Sequence, residues 1–361
     1  MSIHFHPLTV KEIKKETADC VTVTFDIPEQ LRKDFQFKQG QNLTMRATIN
    51  GEEVRRTYSI CSSPSDNEWK VAIKKVSGGL FSTYANEKIK KGDVLEVMEP
   101  VGKFYAELNP ANCKRYVAFA AGSGITPVLS IIKTTLLTEP ESHFTLVYGN
   151  RSRSSVIFFE ELEALKNKFI DRFSLVHVLS RERTDTALNS GRIGPAKLKE
   201  LSRMIDYTTT DEFFLCGPEE MIFSTKDFLE TAGVDRKKIH FELFSSSSQP
   251  SPVKNKEAKI VAREEGAGCQ VTIKLDGRSL DFTLPFSSDT SILDAALQKG
   301  ADLPYACKGG MCCTCKAKLL EGEVSMDVHW GLEEDEVEKG FILTCQSHPK
   351  TEKVVVDFDS K

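Results

Sequence analysis

Cys307-Lys-Gly-Gly-Met-Cys312-Cys-Thr-Cys315, followed by a lone Cys345, is the stretch on which the reading of this chain turns. Three thiols spaced C-x4-C-x2-C with a fourth far downstream match the spacing that holds a 2Fe-2S cluster on four thiolates. One tight loop aims three sulfurs at two irons, and a separate strand end brings the fourth. Gly309 and Gly310 suit such a loop, because glycine adopts positive φ freely and lets backbone N–H groups approach a charged inorganic core. Structural zinc is the competing reading, but zinc modules usually pair two short C-x2-C knuckles, and here there is one. Cys313 is an extra thiol inside the loop; choosing it over Cys312 gives C-x5-C-x-C, a spacing without precedent in such sites. The candidate metal ligands are therefore Cys307, Cys312, Cys315 and Cys345.

Around this loop the chain reads as a small module. Gln270-Val-Thr-Ile-Lys-Leu275, the turn Asp276-Gly277 and Ser279-Leu-Asp-Phe-Thr-Leu284 form a hairpin, and Ser291 to Leu297 a short helix. Just upstream, Ser245-Ser-Ser-Ser-Gln-Pro250-Ser-Pro252-Val-Lys-Asn-Lys-Glu is poor in apolar residues and rich in Ser, Pro and charge, which predicts a semi-flexible linker. A chain of 361 residues has room for two or three domains with cores of their own. The expected division is 1–108, 109–245, a linker over 246–265, and 266–361.

Charge is unevenly spread. From Gly266 onward ten Lys/Arg face sixteen Asp/Glu, a net −6, while the whole chain carries −4. An acidic end beside a near-neutral body argues against nucleic acid and suggests docking onto basic protein surfaces, although a well-solvated acidic module reads the same way. The run Glu333-Glu-Asp-Glu336 is chiefly a solvated helix face or, in the alternative, a docking patch. The start, Met1-Ser-Ile-His-Phe-His-Pro, shows no basic region before an apolar run, and no apolar stretch nears the roughly 18 residues that span a bilayer. Of the ten cysteines, Cys20, Cys61, Cys113 and Cys269 are scattered singly, which suits a reducing cytoplasm.

Residues 1–108 read as short β segments (Val21–Phe25, Asn42–Ile49, Trp69–Ile73, Asp93–Met98), predicting an antiparallel barrel. Between two of these strands lies Arg56-Thr-Tyr58-Ser59; Gly78-Gly79-Leu-Phe-Ser82 then opens a helix running to about Ile89. A guanidinium binds a diphosphate bidentately, and a helix start preceded by glycines and capped by a serine offers further donors to the same anion. Tyr58 would lie flat on a planar ring and Ser59 would bond its edge, so the pair of motifs predicts a flavin site rather than plain barrel surface.

The next stretch changes rhythm. Strand-like runs at Arg115–Ala120, His143–Tyr148, Phe173–Leu179 and Asp211–Cys216 alternate with helical patterns at Ile125–Leu137, Ser155–Lys168 and Glu219–Thr231, implying a parallel sheet whose ligands sit at the strands' carboxyl ends. The first strand runs into Gly122-Ser-Gly124-Ile-Thr126-Pro127, glycines that admit a pyrophosphate followed by a helix start. The loops after the second and third strands carry Arg151, Arg153, Ser180 and Arg181, with no acidic residue at the second strand's end; this favours the 2′-phosphate of NADPH over the free ribose of NADH. Cys216-Gly217-Pro218 ends the last strand with no histidine partner for a catalytic cysteine, and a lining of the nicotinamide pocket is favoured over plain packing.

With these residues on the page, the chain resembles the ferredoxin–NADP reductase superfamily carrying a C-terminal plant-type 2Fe-2S ferredoxin domain, in the order of the one-chain reductases of bacterial oxygenases. The segments Val54–Cys61, Ala120–Pro127, Asp302–Gly310 and Val354–Asp359 are similar to the reductase-subunit family of the phenylacetyl-CoA epoxygenases. The resemblance implies a multidomain fold: an antiparallel β-barrel flavin domain, an α/β parallel-sheet nucleotide domain and an α+β, β-grasp ferredoxin domain. It implies FAD on Arg56, Tyr58, Ser59, Gly79 and Ser82. NADPH, or NADH, would lie on Gly122, Gly124, Thr126, Arg151, Ser180, Arg181, Gly217 and Pro218. Tyr58, Ser59 and Cys216 would stand where hydride passes to the flavin, and electrons would leave through the cluster to a di-iron oxygenase of phenylacetate degradation. Cys313 departs from the family, which commonly has a small residue there, and so bears on the cluster's oxygen sensitivity. Two rivals stay open: a reductase of another aromatic oxygenase or of a hybrid-cluster protein, and a non-enzymatic iron–sulfur redox sensor, against which the intact flavin and nucleotide motifs speak.

Overall fold

Period-two burial builds the first sheet. In the computed structural model, which describes residues 4–244 and 268–360, its strands are β1 (Phe5–Thr17), β2 (Cys20–Asp26), β3 (Asn42–Ile49), β4 (Glu52–Ser59), β5 (Trp69–Lys74) and β6 (Val94–Met98). Leu8 and Val10, Val23 and Phe25, Leu43 and Met45, Val71 and Ile73, Leu95 and Val97 all turn inward and are buried. The six strands are antiparallel in the order β4-β3-β6-β1-β2-β5, and a bridge between Ile60 and Val71 ties the two edges together.

Two strands escape a sequence reading. The alternation of β1 is hidden by its lysines and glutamates, which occupy the outward positions. The expected gap around Arg56–Ser59 is instead strand, because Asn50 and Gly51, at φ 54° and 85°, make the tight turn that folds β4 back onto β3 in the register Ile49 opposite Glu52. The helix α1 (Leu80–Glu87) follows, burying Phe81 and Ala85 on its inner face.

The second sheet is parallel: β7 (Arg115–Ala121), β8 (His143–Asn150), β9 (Phe173–Leu179), β10 (Glu212–Gly217) and β11 (Ile239–Leu243), in the order β11-β10-β7-β8-β9. Helices α2 (Ile125–Thr138), α3 (Phe159–Lys168), α4 (Pro195–Leu201) and α5 (Glu219–Thr231) supply the crossovers. Phe213 and Phe214 show that both faces are covered: Phe214 meets Phe104 at 5.5 Å on one side, and Phe213 meets Tyr207 at 6.4 Å on the other. The chain leaves β7 toward β8 and returns to β10 on the opposite side, so the switch point that makes a ligand crevice lies between β7 and β10.

Both sheets belong to one compact unit, Phe5–Phe244. Ser130 and Thr134 on α2 donate to the Ser62 carbonyl at 2.6 Å and to Ser63 Oγ at 3.0 Å, while Lys133 pairs with Asp66 at 2.7 Å. Where α2 ends, the fully buried Glu139 carboxyl accepts from Asn109 N (3.0 Å), Asn112 Nδ2 (2.6 Å), Tyr116 OH (2.8 Å) and Ser142 Oγ (2.7 Å).

The other unit holds a mixed sheet, β13-β12-β18-β14-β16, in which β12 (Gly268–Leu275) and β13 (Arg278–Pro285) form the expected hairpin around Asp276-Gly277. It is completed by α6 (Ile292–Gln298), β14 (Lys316–Glu321), α7 (Glu334–Glu338), β16 (Phe341–Leu343) and β18 (Lys353–Asp357), with a small ribbon of β15 (Val324–Met326) and β17 (Ser347–Pro349). β18 runs parallel to β12, and Ile292, Leu293, Ala295 and Ala296 pack α6 onto the core. The expected linker over 246–265 lies outside the described residues.

Candidate functional site

Strand alternation sorts the candidate flavin residues. Arg56 and Tyr58 share one face of β4, opposite Met45 and Leu43, whereas Ser59 lies on the other face opposite Asn42. Tyr58 packs its ring 5.7 Å from Phe81 of α1, which brings β4 beside the glycine-led helix start; burial keeps its phenol protonated. Arg56 is half-buried and spends one N–H on the Arg55 carbonyl at 2.7 Å. The expected serine cap is absent. Gly79 is the N-cap, and Ser82 sits one turn inside the helix, where its Oγ accepts from Val76 N at 3.1 Å. Ser82 thus braces the Val76–Gly79 loop.

At the switch point the glycine loop touches the end of β10. A Cβ on Gly124 would lie 2.1 Å from the Cys216 carbonyl oxygen, so the close approach admits no side chain. Thr126 Oγ1 donates to Ser123 O at 3.0 Å and fixes the turn. Pro218 caps α5, and Gly217 packs against Ala121 and Met221. Cys216 is fully buried; burial and the nearby Glu242 push its thiol well above the ordinary range, so it remains S–H and is no nucleophile.

Glu242 is the residue that sequence reading missed. It stands beside Cys216 in the parallel register of β10 and β11, and its Oε2 accepts from Ser59 Oγ at 3.1 Å across the meeting of the two sheets. Burial of the carboxyl raises its pKa to about 7, against the opposing pull of hydrogen bonds from Ser59 and Asn42. The only signal was a single acid in the otherwise apolar end of Ile239-His-Phe-Glu-Leu243.

The candidate phosphate residues converge at the ends of β8 and β9. Ser180 N donates to Asn150 O at 2.9 Å and Arg181 N to Arg151 O at 2.8 Å, so the exposed Arg151, Ser180 and Arg181 stand side by side. Arg153 lays its guanidinium 4.6 Å over Phe159, and its backbone N–H donates to Glu182 at 2.6 Å. An acid absent from the second strand's end in sequence therefore reaches that loop from the third.

In the other unit the four candidate thiols form two pairs. Cys307 Sγ accepts from Gly309 N at 3.3 Å and Cys312 N at 3.4 Å, and Cys307 N donates to Cys312 Sγ at 3.5 Å. A hydrogen bond from the Cys312 thiol pulls Cys307 down to about 6, helped by N–H groups of Gly309, Met311 and Cys312. Cys315 and Cys345 form the second pair, with Cys315 raised by its bond to Cys345. Among the described residues no three His, Cys, Asp or Glu side chains converge on a single metal position. The charge of Cys312 also raises Cys315, so the two pairs adjoin, and their C-x4-C-x2-C spacing is that of a 2Fe-2S site rather than of a zinc module. Gly310 takes φ 73° as expected; Gly309 does not, and Lys308 (52°) and Cys313 (53°) supply the other left-handed turns. The Cys313 thiol is bonded to Gly331 O, and a Cβ on Gly331 would fall 2.7 Å from that sulfur.

The chain matches three family descriptions in order: an oxidoreductase FAD-binding domain over residues 7–105, an oxidoreductase NAD-binding domain over 119–227 and a 2Fe-2S iron–sulfur cluster binding domain over 273–350. It is 46% identical over 358 residues to a subunit of the 1,2-phenylacetyl-CoA epoxidase of Escherichia coli K12, covering 99% of this chain and 98% of that one. The chain belongs to the ferredoxin–NADP reductase superfamily, in the branch with a 2Fe-2S domain. Other relatives of this reductase include the ferredoxin reductase component of 3-ketosteroid-9-alpha-monooxygenase from Rhodococcus rhodochrous, 35% identical over 97% of this chain and 96% of the relative. The glycine betaine monooxygenase reductase subunit of Pseudomonas aeruginosa PAO1 is 32% identical over 98% and 95%. Among solved structures, phthalate dioxygenase reductase has the same fold, with a TM-score of 0.60, 24% identity and 98% of each chain covered. The reductase is thus a flavin- and pyridine-nucleotide-binding oxidoreductase of the kind that serves as electron-transfer component in oxygenase systems. Among the described residues no helix is long and apolar enough to cross a membrane.

Proposed function

We propose that this reductase uses NADPH to supply electrons to the di-iron oxygenase of a phenylacetyl-CoA epoxygenase complex. The likeness to the Escherichia coli epoxidase chain along 99% of the sequence is the observation that carries the choice of partner. When bound, FAD would supply hydride acceptance and a 2Fe-2S cluster one-electron transfer, chemistry that belongs to the cofactors. The chain binds, orients and moves a proton. Arg56, Tyr58, Ser59, Gly79 and Ser82 hold the flavin. Gly122, Gly124, Thr126, Gly217 and Pro218 would cradle the dinucleotide at the switch point, where Gly124 meets the Cys216 backbone. The thiolates of Cys307, Cys312, Cys315 and Cys345 would hold the cluster. A hydride is one proton with two electrons; once the electrons have left, one proton per turnover remains to be removed. Ser59 and Glu242, 3.1 Å apart, are the chain's route for it, the hydroxyl handing the proton to the carboxylate.

Mixing the holoprotein with the catalytic subunits of a phenylacetyl-CoA epoxygenase tests the partner. NADPH consumption that requires both phenylacetyl-CoA and those subunits is expected; coupling only to a steroid, betaine or aromatic-ring oxygenase would overturn the assignment. We assign nucleotide preference to the pair Arg151 and Arg181, with Ser180 between them and the 2′-phosphate as their ligand. Arg181→Ala is expected to raise KM for NADPH about tenfold or more, the weight of one charge-assisted contact, and to leave KM for NADH nearly unchanged. An equal rise for both nucleotides would remove the phosphate contact from Arg181.

A further inference from the structure

The strand that carries Arg56, Tyr58 and Ser59 runs on into a loop that the nucleotide helix α2 grips. Ile60 N donates to Gln41 O and Cys61 N to Lys70 O, both at 2.8 Å, so the chain leaves β4 still bonded to the flavin sheet. Ser62 Oγ then donates to Glu68 O at 2.6 Å, and Ser63 N donates to Asp66 Oδ2 at 2.9 Å, closing the short turn Pro64–Asp66. Onto this loop α2 sets three donors. Ser130 Oγ reaches Ser62 O at 2.6 Å, Thr134 Oγ1 reaches Ser63 Oγ at 3.0 Å, and Lys133 Nζ reaches Asp66 Oδ2 at 2.7 Å. Residues three and four apart share a helix face, so the three act as one row. Ser62, Ser63 and Ser130 are at most 2% exposed, which leaves water no room to replace a lost partner. Around them Cys61 and Ala72 of the flavin sheet share an apolar core with Ile125 and Val128 of α2.

We propose that Ser130 and Thr134 are positioning residues for hydride transfer: by locking α2 to the loop that continues β4, they set the distance between the nucleotide turn and the flavin strand. α2 starts directly after the Gly122–Gly124 turn, and Ser130 stands less than two turns into it, about 9 Å from that turn along the axis. Over so short a rod, a slip at Ser130 carries through to the glycines. Hydride transfer moves one proton and two electrons together from nicotinamide to flavin, and it tolerates little slip. Reacting atoms must stand about 3–3.5 Å apart, and a misplacement of about 1 Å costs roughly a hundredfold. Apolar packing is non-directional and lets two faces slide. A hydroxyl bonded to a carbonyl resists sliding, because the bond weakens steeply away from its preferred length and angle. Asp66 makes the lock one piece, since a single oxygen closes the turn through Ser63 N and holds Lys133. This inference rests on the placement of the flavin along β4 and of the nucleotide at the Gly122–Gly124 turn, and the test separates the two.

The experiment uses full-length holoprotein, matched for FAD and cluster content by absorbance, as wild type, Ser130→Ala, Thr134→Val, the double variant and Thr134→Ser. Anaerobic stopped-flow mixing with NADPH reads the limiting rate of flavin bleaching, the dissociation constant of NADPH, and the long-wavelength charge-transfer absorbance of stacked nicotinamide and flavin before bleaching. Hydrogen exchange of the amides in residues 62–70 is followed alongside. The double variant should bleach about tenfold more slowly, lose most of the charge-transfer absorbance and exchange faster at 62–70, with its dissociation constant within about twofold of wild type. Each single variant should show a smaller change of the same kind, which keeps the test open if the double variant does not fold. Thr134→Ser, which keeps the hydroxyl, should recover most of the rate lost in Thr134→Val. Wild-type rate and absorbance in the variants, a rate that falls only through weaker NADPH binding, or a Thr134→Ser as slow as Thr134→Val would overturn the positioning role. Arg56→Ala is run beside them: undiminished FAD retention there would overturn the placement of the flavin along β4, whatever the α2 variants do.

Discussion

Cys345→Ala is expected to remove the 2Fe-2S chromophore and with it essentially all electron delivery to the oxygenase, while ferricyanide reduction by NADPH stays near the wild-type rate. The reasoning is geometric. Cys345 is the thiol that pairs with Cys315, and Cys313, the extra thiol in the loop, is bonded away to Gly331 O. A substitute ligand from Cys313 would have to break that bond and leave a left-handed backbone conformation that fixes where its sulfur points. The flavin and nucleotide residues lie in the separate unit Phe5–Phe244, so their two-electron chemistry should survive. Visible absorbance, iron content and the two activities check this; a full iron complement in Cys345→Ala would mean that the ligand set is wrong, and parallel loss of ferricyanide reduction would deny the units their independence.

Glu139→Leu should be the most damaging single change outside the cofactor sites. The carboxyl is fully buried, and one backbone N–H, one amide and two hydroxyls converge on it. An apolar replacement leaves those donors without an acceptor where water does not reach, and each unsatisfied group costs about 1–3 kcal/mol. Allowing for relaxation, a loss of about 3–5 kcal/mol is expected, or roughly 10 °C in Tm for a unit of this size. Calorimetry of the holoprotein measures it. A shift of a degree or two would show that the network is an ornament of a stable helix end rather than what anchors α2 to β7 and β8.

Much of this molecule is legible in its residues because its chemistry needs particular residue types. Thiol spacing, the Gly122-Ser-Gly124 loop before α2 and Cys216-Gly-Pro218 at the end of β10 each sit at an element boundary, where a local pattern also fixes a position in space. The strands with apolar alternation, β2, β3, β5 and β6, are readable for the same local reason. What escapes depends on distant partners. Arg56 and Tyr58 belong to β4 because of the Asn50-Gly51 turn, not because of their own propensity. Ser82 reads as a cap by its distance from the glycines, yet the helix begins one turn earlier and turns the hydroxyl back on Val76. Glu242 and Ser59 become neighbours only once the parallel sheet has packed against the barrel, and no spacing along the chain encodes that meeting. Glu182 likewise reaches the loop after β8 from the loop after β9.

Anaerobic titration of the holoprotein with NADPH tests the central claim most directly, with flavin absorbance and the paramagnetic signal of the cluster followed together. The account predicts flavin bleaching accompanied by a rhombic signal that integrates to one spin per cluster and vanishes in Cys345→Ala. Bleaching with no spin signal in protein of full iron content, or a signal that survives in that variant, would contradict it.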